Sequence, residues 1–161
     1  MAAKTKRTPN QPTIENRRAR YDFYIDDTLE CGIKLTGTEI KSVRNGRVSL
    51  AEGYVRATQS PPALALHGVH IAEYPPAGKQ LQHDPTRVRT LLAHRREIRK
   101  LADKTSQKGY TIVPLKMYLV RGRAKLLIGL GQGKRRHDKR HELAKRQAER
   151  EISRAMSRSR R

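Results

Sequence analysis

Three groups of residues in this chain could do chemistry together. Asn16-Arg17-Arg18-Ala19-Arg20 sets three guanidinium groups beside an amide. That combination suits the sugar-phosphate backbone of a folded RNA, where arginine forks match phosphate oxygens and shape matters more than base edges. Phe23 and Tyr24 follow on alternating faces, so one ring can stack on an exposed base while the other fills the core. The second group, Gly133-Lys134-Arg135-Arg136-His137-Asp138-Lys139-Arg140, places a glycine hinge before dense cations. His137 can stack on a base and, when protonated, donate two hydrogen bonds, while Asp138 is expected to orient Lys139 or Arg140. The third group is Arg87, Arg89, Arg95, Arg96, Arg99 and Lys100. Its charge is one-signed, with only Glu97 and Asp103 as helix partners, and this favours phosphate contact over a merely solvated face.

Catalytic and metal readings fare worse. His137 and His141 have the i, i+4 spacing that shares a metal on a helix, but the surrounding cations repel one and no thiol or carboxylate cluster completes a shell. His67 and His70 point to opposite faces of a strand. No Ser-His-Asp order, paired carboxylates or phosphate loop stands out. Gly129-Leu130-Gly131-Gln132-Gly133 lacks the Lys-Ser/Thr of a phosphate loop and reads as a flexible exit from a last strand. We therefore expect no catalytic residues, metal or cofactor.

Composition agrees. The 161 residues hold 36 Lys and Arg against 15 Asp and Glu, a net charge of +21. Such a charge repels itself in a compact state until a polyanion neutralises it, and phosphate contacts by Lys and Arg release counterions. An anionic membrane surface is a lesser option, because no apolar stretch approaches the ~18 residues of a spanning helix. The first twelve residues are polar and do not resemble a signal peptide. Cys31 is the single cysteine, so an internal disulfide is excluded and a reducing cytoplasm is expected.

The elements that must position these groups are legible in part. Residues 1–13 read as a flexible arm. Leu29, Cys31, Ile33 and Leu35 alternate with polar neighbours, which predicts a half-buried strand with those four facing the core. Thr36 and Glu39 fit a capping box, Leu35 and Ile40 a hydrophobic staple, and Asn45-Gly46 a stop, so a short helix should end near Arg44. Gly53–Thr58 and Ala63–His67 read as strands around Pro61-Pro62, with Val69–Tyr74 a candidate third. A loop should run from Pro75 to Pro85. Leu91, Ile98, Leu101 and Ala102 recur at helical spacing, predicting an amphipathic helix ended by Gly109. Tyr110–Val120 and Ala124–Leu130 read as strands joined by a tight turn at Arg121-Gly122-Arg123. Six or seven short strands and two helices are most economically a small closed or nearly closed antiparallel β-barrel with packed helices, spanning residues 14–133.

Residues 134–161 hold 12 Lys and Arg against 4 acids and contain no Pro or Gly. Leu143, Ala144, Ala148, Ile152, Ala155 and Met156 lie roughly on one helical stripe. It is too thin to overcome ordering entropy and like-charge repulsion alone. This tail is expected to be largely disordered when free and helical beside a phosphate partner.

Five separated motifs resemble one family in the same order. Asn16-Arg17-Arg18-Ala19-Arg20-Tyr21 and Gly32-Ile33-Lys34-Leu35-Thr36-Gly37-Thr38-Glu39-Ile40-Lys41-Ser42 are similar to the opening of the SsrA-binding protein (small protein B) family. Asp84-Pro85-Thr86-Arg87-Val88-Arg89 with Leu91-Leu92, Gly109-Tyr110-Thr111, and Gly133-Lys134 with His137-Asp138-Lys139-Arg140 extend the match from Asn16 to Arg140. The resemblance implies a barrel related to the oligonucleotide-binding fold with a disordered tail. It also implies a non-enzymatic, cytoplasmic, monomeric adaptor that binds transfer-messenger RNA and delivers it, alanylated and with elongation factor Tu, to ribosomes stalled on truncated messages. Asn16, Glu30 and Leu92 match positions that contribute to binding the tRNA-like domain, with Arg17, Arg18, Arg20, Tyr24, Arg87 and Arg89 as further RNA contacts. Gly133, Lys134, Arg135, His137, Asp138, Lys139 and Arg140 match the junction placed at the decoding centre of the small ribosomal subunit, where His137 would stack on a ribosomal RNA base. The tail then enters the empty mRNA channel, with Ile152 and Met156 as its apolar contacts. Where the family often has a large mid-tail aromatic, this chain has Ala148. The competing expectation is a structural ribosomal protein whose basic tail is threaded through ribosomal RNA.

Overall fold

The computed structural model describes residues 12–158, so the expected arm at 1–13 falls outside the described residues except for its last two positions. The strands are β1 (Ile14–Glu15), β2 (Phe23–Ile33), β3 (Val48–Ser49), β4 (Tyr54–Gln59), β5 (Pro62–His67), β6 (His70–Ile71), β7 (Arg89–Leu92), β8 (Tyr110–Val120) and β9 (Arg123–Gly133). The α-helices are α1 (Arg17–Asp22), α2 (Gly37–Arg44), α3 (Arg95–Ser106) and α4 (Arg136–Arg158). Pairing runs β8-β4-β5-β7-β2-β9 and returns from β9 to β8, so a six-stranded antiparallel ring closes. Strand β1 adds to the edge of β8, and β3 with β6 forms a separate ribbon. The architecture is mainly β with packed helices, as expected; the ring has one strand more than the five of an oligonucleotide-binding barrel.

Two bulges divide the apolar residues between two cores. Register shifts fall between Ile25 and Asp27 on β2 and between Pro114 and Lys116 on β8. An extra residue flips every later side chain to the other face. Beyond the bulges, Leu29, Cys31, Ile33, Met117 and Leu119 therefore face the barrel interior. Before or at them, Phe23, Ile25, Val113 and Leu115 face outward and form a second cluster under Ala19 of α1. Between the bulged strands, β9 must stay thin. A Cβ on Gly131 would lie 2.4 Å from the Tyr24 carbonyl oxygen. The glycine run 129–133 is consequently paired strand rather than the flexible exit expected of it.

The β8–β9 turn is built on Arg121 and Gly122, both at positive φ (49° and 76°), as a two-residue type I′ hairpin requires. Leu91 departs from expectation. It belongs to β7, opposite Ile33 and Leu64, and is buried in the barrel rather than opening a helix. Helix α3 starts after His94, whose backbone N–H donates to the Glu97 carboxylate at 3.1 Å. One α-helix, α1, adds to the pair expected of the barrel domain, and α4 lies in the tail, where a helix is expected beside a phosphate partner.

A buried ion cluster joins α2 to β7. The Glu39 carboxylate has no exposed surface, and neither does Arg89. Arg89 donates to Glu39 at 2.8 Å, to the Val69 carbonyl at 2.7 Å and to the Pro85 carbonyl at 2.9 Å. Arg87 donates twice to Glu39, at 2.8 and 2.5 Å, and the Thr36 backbone N–H donates at 2.8 Å. Alongside, buried His83 bridges the Thr38 hydroxyl (2.8 Å) and the Ile71 carbonyl (3.0 Å). Burial pushes the Glu39 pKa up, but the hydrogen bonds from Arg87, Thr36 and Arg89 outweigh it and hold the value at about 2. Burial lowers the Arg89 pKa and the Glu39 bond raises that of Arg87, yet both guanidiniums stay charged.

Glu39→Gln strands two guanidiniums beside a neutral amide and is expected to destabilise the fold by about 3–5 kcal/mol, read as a lowered Tm. Because the folded pKa is depressed from 4.5, the carboxylate's stabilisation is complete above about pH 4.5 and fades as pH falls to about 2. The variant should show a flatter stability profile across that window in urea titrations.

Candidate nucleic-acid interface

Helix α1 covers the outer apolar cluster through Ala19 and carries three arginines on its exposed side. Asn16 caps it, its Oδ1 accepting from the Ala19 N–H at 3.1 Å. The amide nitrogen of Asn16 donates to the carbonyls of Leu50 and Pro114, each at 2.9 Å. Asn16 is 6 % exposed. The sequence points to it as an RNA contact; in the structure its side-chain groups bond inside the protein and anchor α1. Ala19 turns inward, and Arg17, Arg18 and Arg20 are exposed around the same turn. Arg18 pairs with Glu52 at 2.7 Å and with Asp22 at 3.3 Å.

The structure then joins this leader to the tail junction, which the sequence reading kept apart. Phe23 and Tyr24 pair across the sheet with Gly133 and Gln132. Tyr24 is the exposed ring, 50 % accessible, and Phe23 packs under α1. The Lys134 ammonium lies 4.8 Å from the Tyr24 ring centroid and donates to the Arg20 carbonyl at 3.0 Å. Lys139 pairs with Asp22 at 2.6 Å and sits 5.8 Å from the Tyr21 ring. Asp138 accepts from the Arg135 N–H at 3.2 Å, so its carboxylate caps the start of α4 rather than orienting Lys139 or Arg140. Asp22 was not singled out from sequence, and its position within Tyr21-Asp22-Phe23 gave no signal of the partner 117 residues away.

Along α4 each residue turns ~100°. His137, His141, Ala144, Ala148, Ile152 and Met156 therefore share one side, and Arg136, Lys139, Arg140, Arg146, Arg150 and Arg154 the other. Leu143, expected on the apolar stripe, falls among the cations. Ile152 and Met156 are about 60 % exposed. The His137 and His141 rings meet edge-on at 4.5 Å, and no cluster of three or more potential metal ligands forms among the described residues.

A second patch lies farther along β2. Glu30 is exposed, receives the Tyr118 hydroxyl's hydrogen bond and stands 3.5 Å from the Lys125 ammonium. Leu92 is 50 % exposed at the end of β7 and flanks Gly32, where a Cβ would meet its side chain at 3.3 Å. Leu92, Gly32, Lys125 and Tyr118 form one row across four strands. An open groove of about 450 Å³ beside that row is lined by Leu35, Ile40, Leu92, Arg123 and Lys125 among others. Glu30 and Leu92 thus share a face, with Tyr118 and Lys125 as members that sequence reasoning missed. Both sit at alternating strand positions, the one available clue.

Arg87 and Arg89 do not join either patch. Arg89 has no exposed surface, so the phosphate contact expected there is a structural arginine, while Arg87, about 32 % exposed, is held by Glu39. Arg95, Arg96, Arg99 and Lys100 do remain on the exposed side of α3, with Lys100 3.2 Å from Asp27. No helix of the described residues is long and apolar enough to cross a membrane.

The model of the SmpB protein family matches residues 13–158 of this chain. The chain belongs to that family. An SsrA-binding protein of Lactobacillus delbrueckii subsp. bulgaricus is 52 % identical over 136 residues, covering 84 % of this chain and 87 % of the relative. The SsrA-binding protein of Roseiflexus castenholzii is 50 % identical over 125 residues, 78 % of each chain. A solved structure described as "tmRNA-SmpB: a journey to the center of the bacterial ribosome" superposes with a TM-score of 0.65 at 45 % identity, covering 82 % of this chain and 94 % of that one. The SmpB family therefore supplies both the fold and the frame in which the two patches are read.

Asn16→Ala removes a cap and leaves two buried carbonyls without donors. We expect a loss of about 2–3 kcal/mol in urea-unfolding stability. A residue acting by RNA contact alone would leave the unfolding midpoint unchanged.

Proposed function

We propose that this chain binds transfer-messenger RNA through the barrel and carries it to stalled bacterial ribosomes, where the tail reads an empty mRNA channel. Family membership over residues 13–158 carries the reading, since curated relatives at about half identity are named SsrA-binding proteins. The chemistry is consistent with it. The Glu30–Leu92 patch offers one carboxylate, tempered by Lys125 and Tyr118, and an apolar contact. Such a set suits a base amino group or ribose hydroxyl and an unstacked base of a folded RNA. Arg17, Arg20 and Tyr24 supply phosphate and stacking contacts at the other end of β2. Elongation factor Tu would arrive through the RNA rather than through this chain, and the protein would act as a monomer.

In the tail, His137 stands on the side of α4 away from Lys139, free to stack at the decoding centre. Helix α4 is the conformation the tail would hold in the channel. Intact message there would exclude it by charge and by volume. The chain needs no chemistry of its own for this task, and the reading assigns it none.

Truncation after Gly133 is expected to leave binding to the isolated RNA nearly intact while abolishing peptide tagging on stalled ribosomes. Equal loss of both would defeat the division of labour. A peptide of residues 134–158 should show little helical circular dichroism in buffer and a clear gain on adding RNA; strong helicity without RNA would show the helix to be unconditional.

Binding of the full chain to transfer-messenger RNA should weaken by roughly 10³-fold between about 50 and 200 mM salt if about six phosphates are contacted. A flat salt response would argue against the phosphate contacts. Stoichiometric ribosome association that survives high-salt washing would favour the structural ribosomal alternative.

A further inference from the structure

The junction of α1 and α4 is crowded with cations from both elements, yet a carboxylate sits among them. If this surface served RNA alone, Asp22 would repel the phosphates the arginines attract. Its contacts show another use. One carboxylate oxygen takes Lys139 at 2.6 Å and the other Arg18 at 3.3 Å. The Asp22 backbone carbonyl accepts from the Lys134 N–H at 2.8 Å. The side chains of Asp22 and Lys139 are only 24 % and 29 % exposed. One residue thus ties together α1, the joint between barrel and tail, and the first turn of α4.

Little else sets the direction of that helix. Beyond its first turn, α4 has no extensive packing on other described elements, and Ile152 and Met156 stand in solvent. A surface ion pair is individually weak. It decides an orientation only where nothing stronger competes, and that is the situation here. Lys139 lies on the cationic side of α4, so its pairing turns this side toward α1 at the root.

We propose that Asp22 is the positioning residue of the tail: by holding Lys139 it fixes the direction in which α4 leaves the barrel. The functional consequence rests on the reading given above, in which the tail must enter a channel. The positioning itself does not rest on it. Loss of the carboxylate should leave the barrel and its RNA patches in place while the tail samples many directions.

The test uses the full chain with nitroxide labels on Ser49→Cys and Ser153→Cys, both at exposed positions. Cys31 is buried, its thiol pushed up by that burial to about 12, and stays unlabelled. Pulsed electron-spin distance measurement, with a non-specific RNA duplex added so that the tail is helical, is expected to give one narrow distribution in the parent. Asp22→Asn and Lys139→Met should each broaden it, with the docked-to-undocked ratio falling about fivefold, as loss of one such pair implies. The double reversal Asp22→Lys with Lys139→Asp should restore the narrow distribution that each single reversal loses. A distribution equally narrow and equally centred in Asp22→Asn or in Lys139→Met overturns the proposal. In parallel, Asp22→Asn should bind isolated transfer-messenger RNA within about threefold of the parent while tagging drops. Failure of the parent to bind that RNA would instead strike the proposed function and leave the distance result standing.

Discussion

A carboxylate with no exposed surface, held between two guanidiniums, is the interaction on which the rest of this barrel depends. In a chain of net charge +21, a buried arginine without its anion would be expelled to solvent. Glu39 makes Arg89 tolerable in the interior, and Arg89 in turn satisfies the carbonyls of Val69 and Pro85. Replacing such a group by apolar packing is often neutral or better for stability, so its value here is geometric. It fastens α2 and the 69–85 connection onto β7, the strand that bridges β5 and β2 in the ring. Leu92, at the far end of that strand, is thereby held at the rim of the groove where the Glu30 patch begins.

Much of this was legible locally. The alternation from Leu29 to Ile33 announced β2, and Thr36 with Glu39 announced the start of α2, because both signals act within a few residues. What escaped the sequence depends on distant partners. Arg87 and Arg89 look like surface cations until Glu39, 48 and 50 positions away, is folded against them. Leu91 fits a helical spacing with Ile98 and Leu101, but its opposite numbers Ile33 and Leu64 claim it for the sheet. The glycines of β9 suggested flexibility, whereas the close passage of the Tyr24 backbone requires them. Asn16 has the composition of a contact residue and the surroundings of a cap. The barrel class and the family resemblance were readable, and so was the charge of the candidate site. Its division into anchors and contacts was not, since burial is a property of the fold and not of the motif.

The two bulges give one wall two apolar faces, the barrel core and the outer cluster under α1. Without the extra residue near Asp26, Phe23 and Ile25 would face the barrel interior together with Leu29 and Cys31, and α1 would have no outer cluster to rest on. With it, β2 presents Tyr24 near one end and Glu30 near the other, ~20 Å apart along a strand rising ~3.3 Å per residue. That separation exceeds a Debye length of about 8 Å in physiological salt. Each patch therefore feels its own local charges, the first rich in arginine and lysine and the second nearly balanced by Glu30 and Lys125.

Only Lys134 and Arg135 separate the last residue of β9 from the first of α4. Because β9 is the strand that closes the ring, the tail is attached to the seam of the barrel and not to a loose loop. The helix spans 23 residues, which at ~1.5 Å per residue makes a rigid arm of roughly 35 Å. Mechanically it is a lever with a very short fulcrum. A rotation of about 20° at the joint would carry the far end through roughly 12 Å for an arm of this rise. Small rearrangements of a few atoms at the root are thus magnified at Met156, and a force applied to the tip returns to the β2–β9 and β8–β9 ladders as torque on the seam.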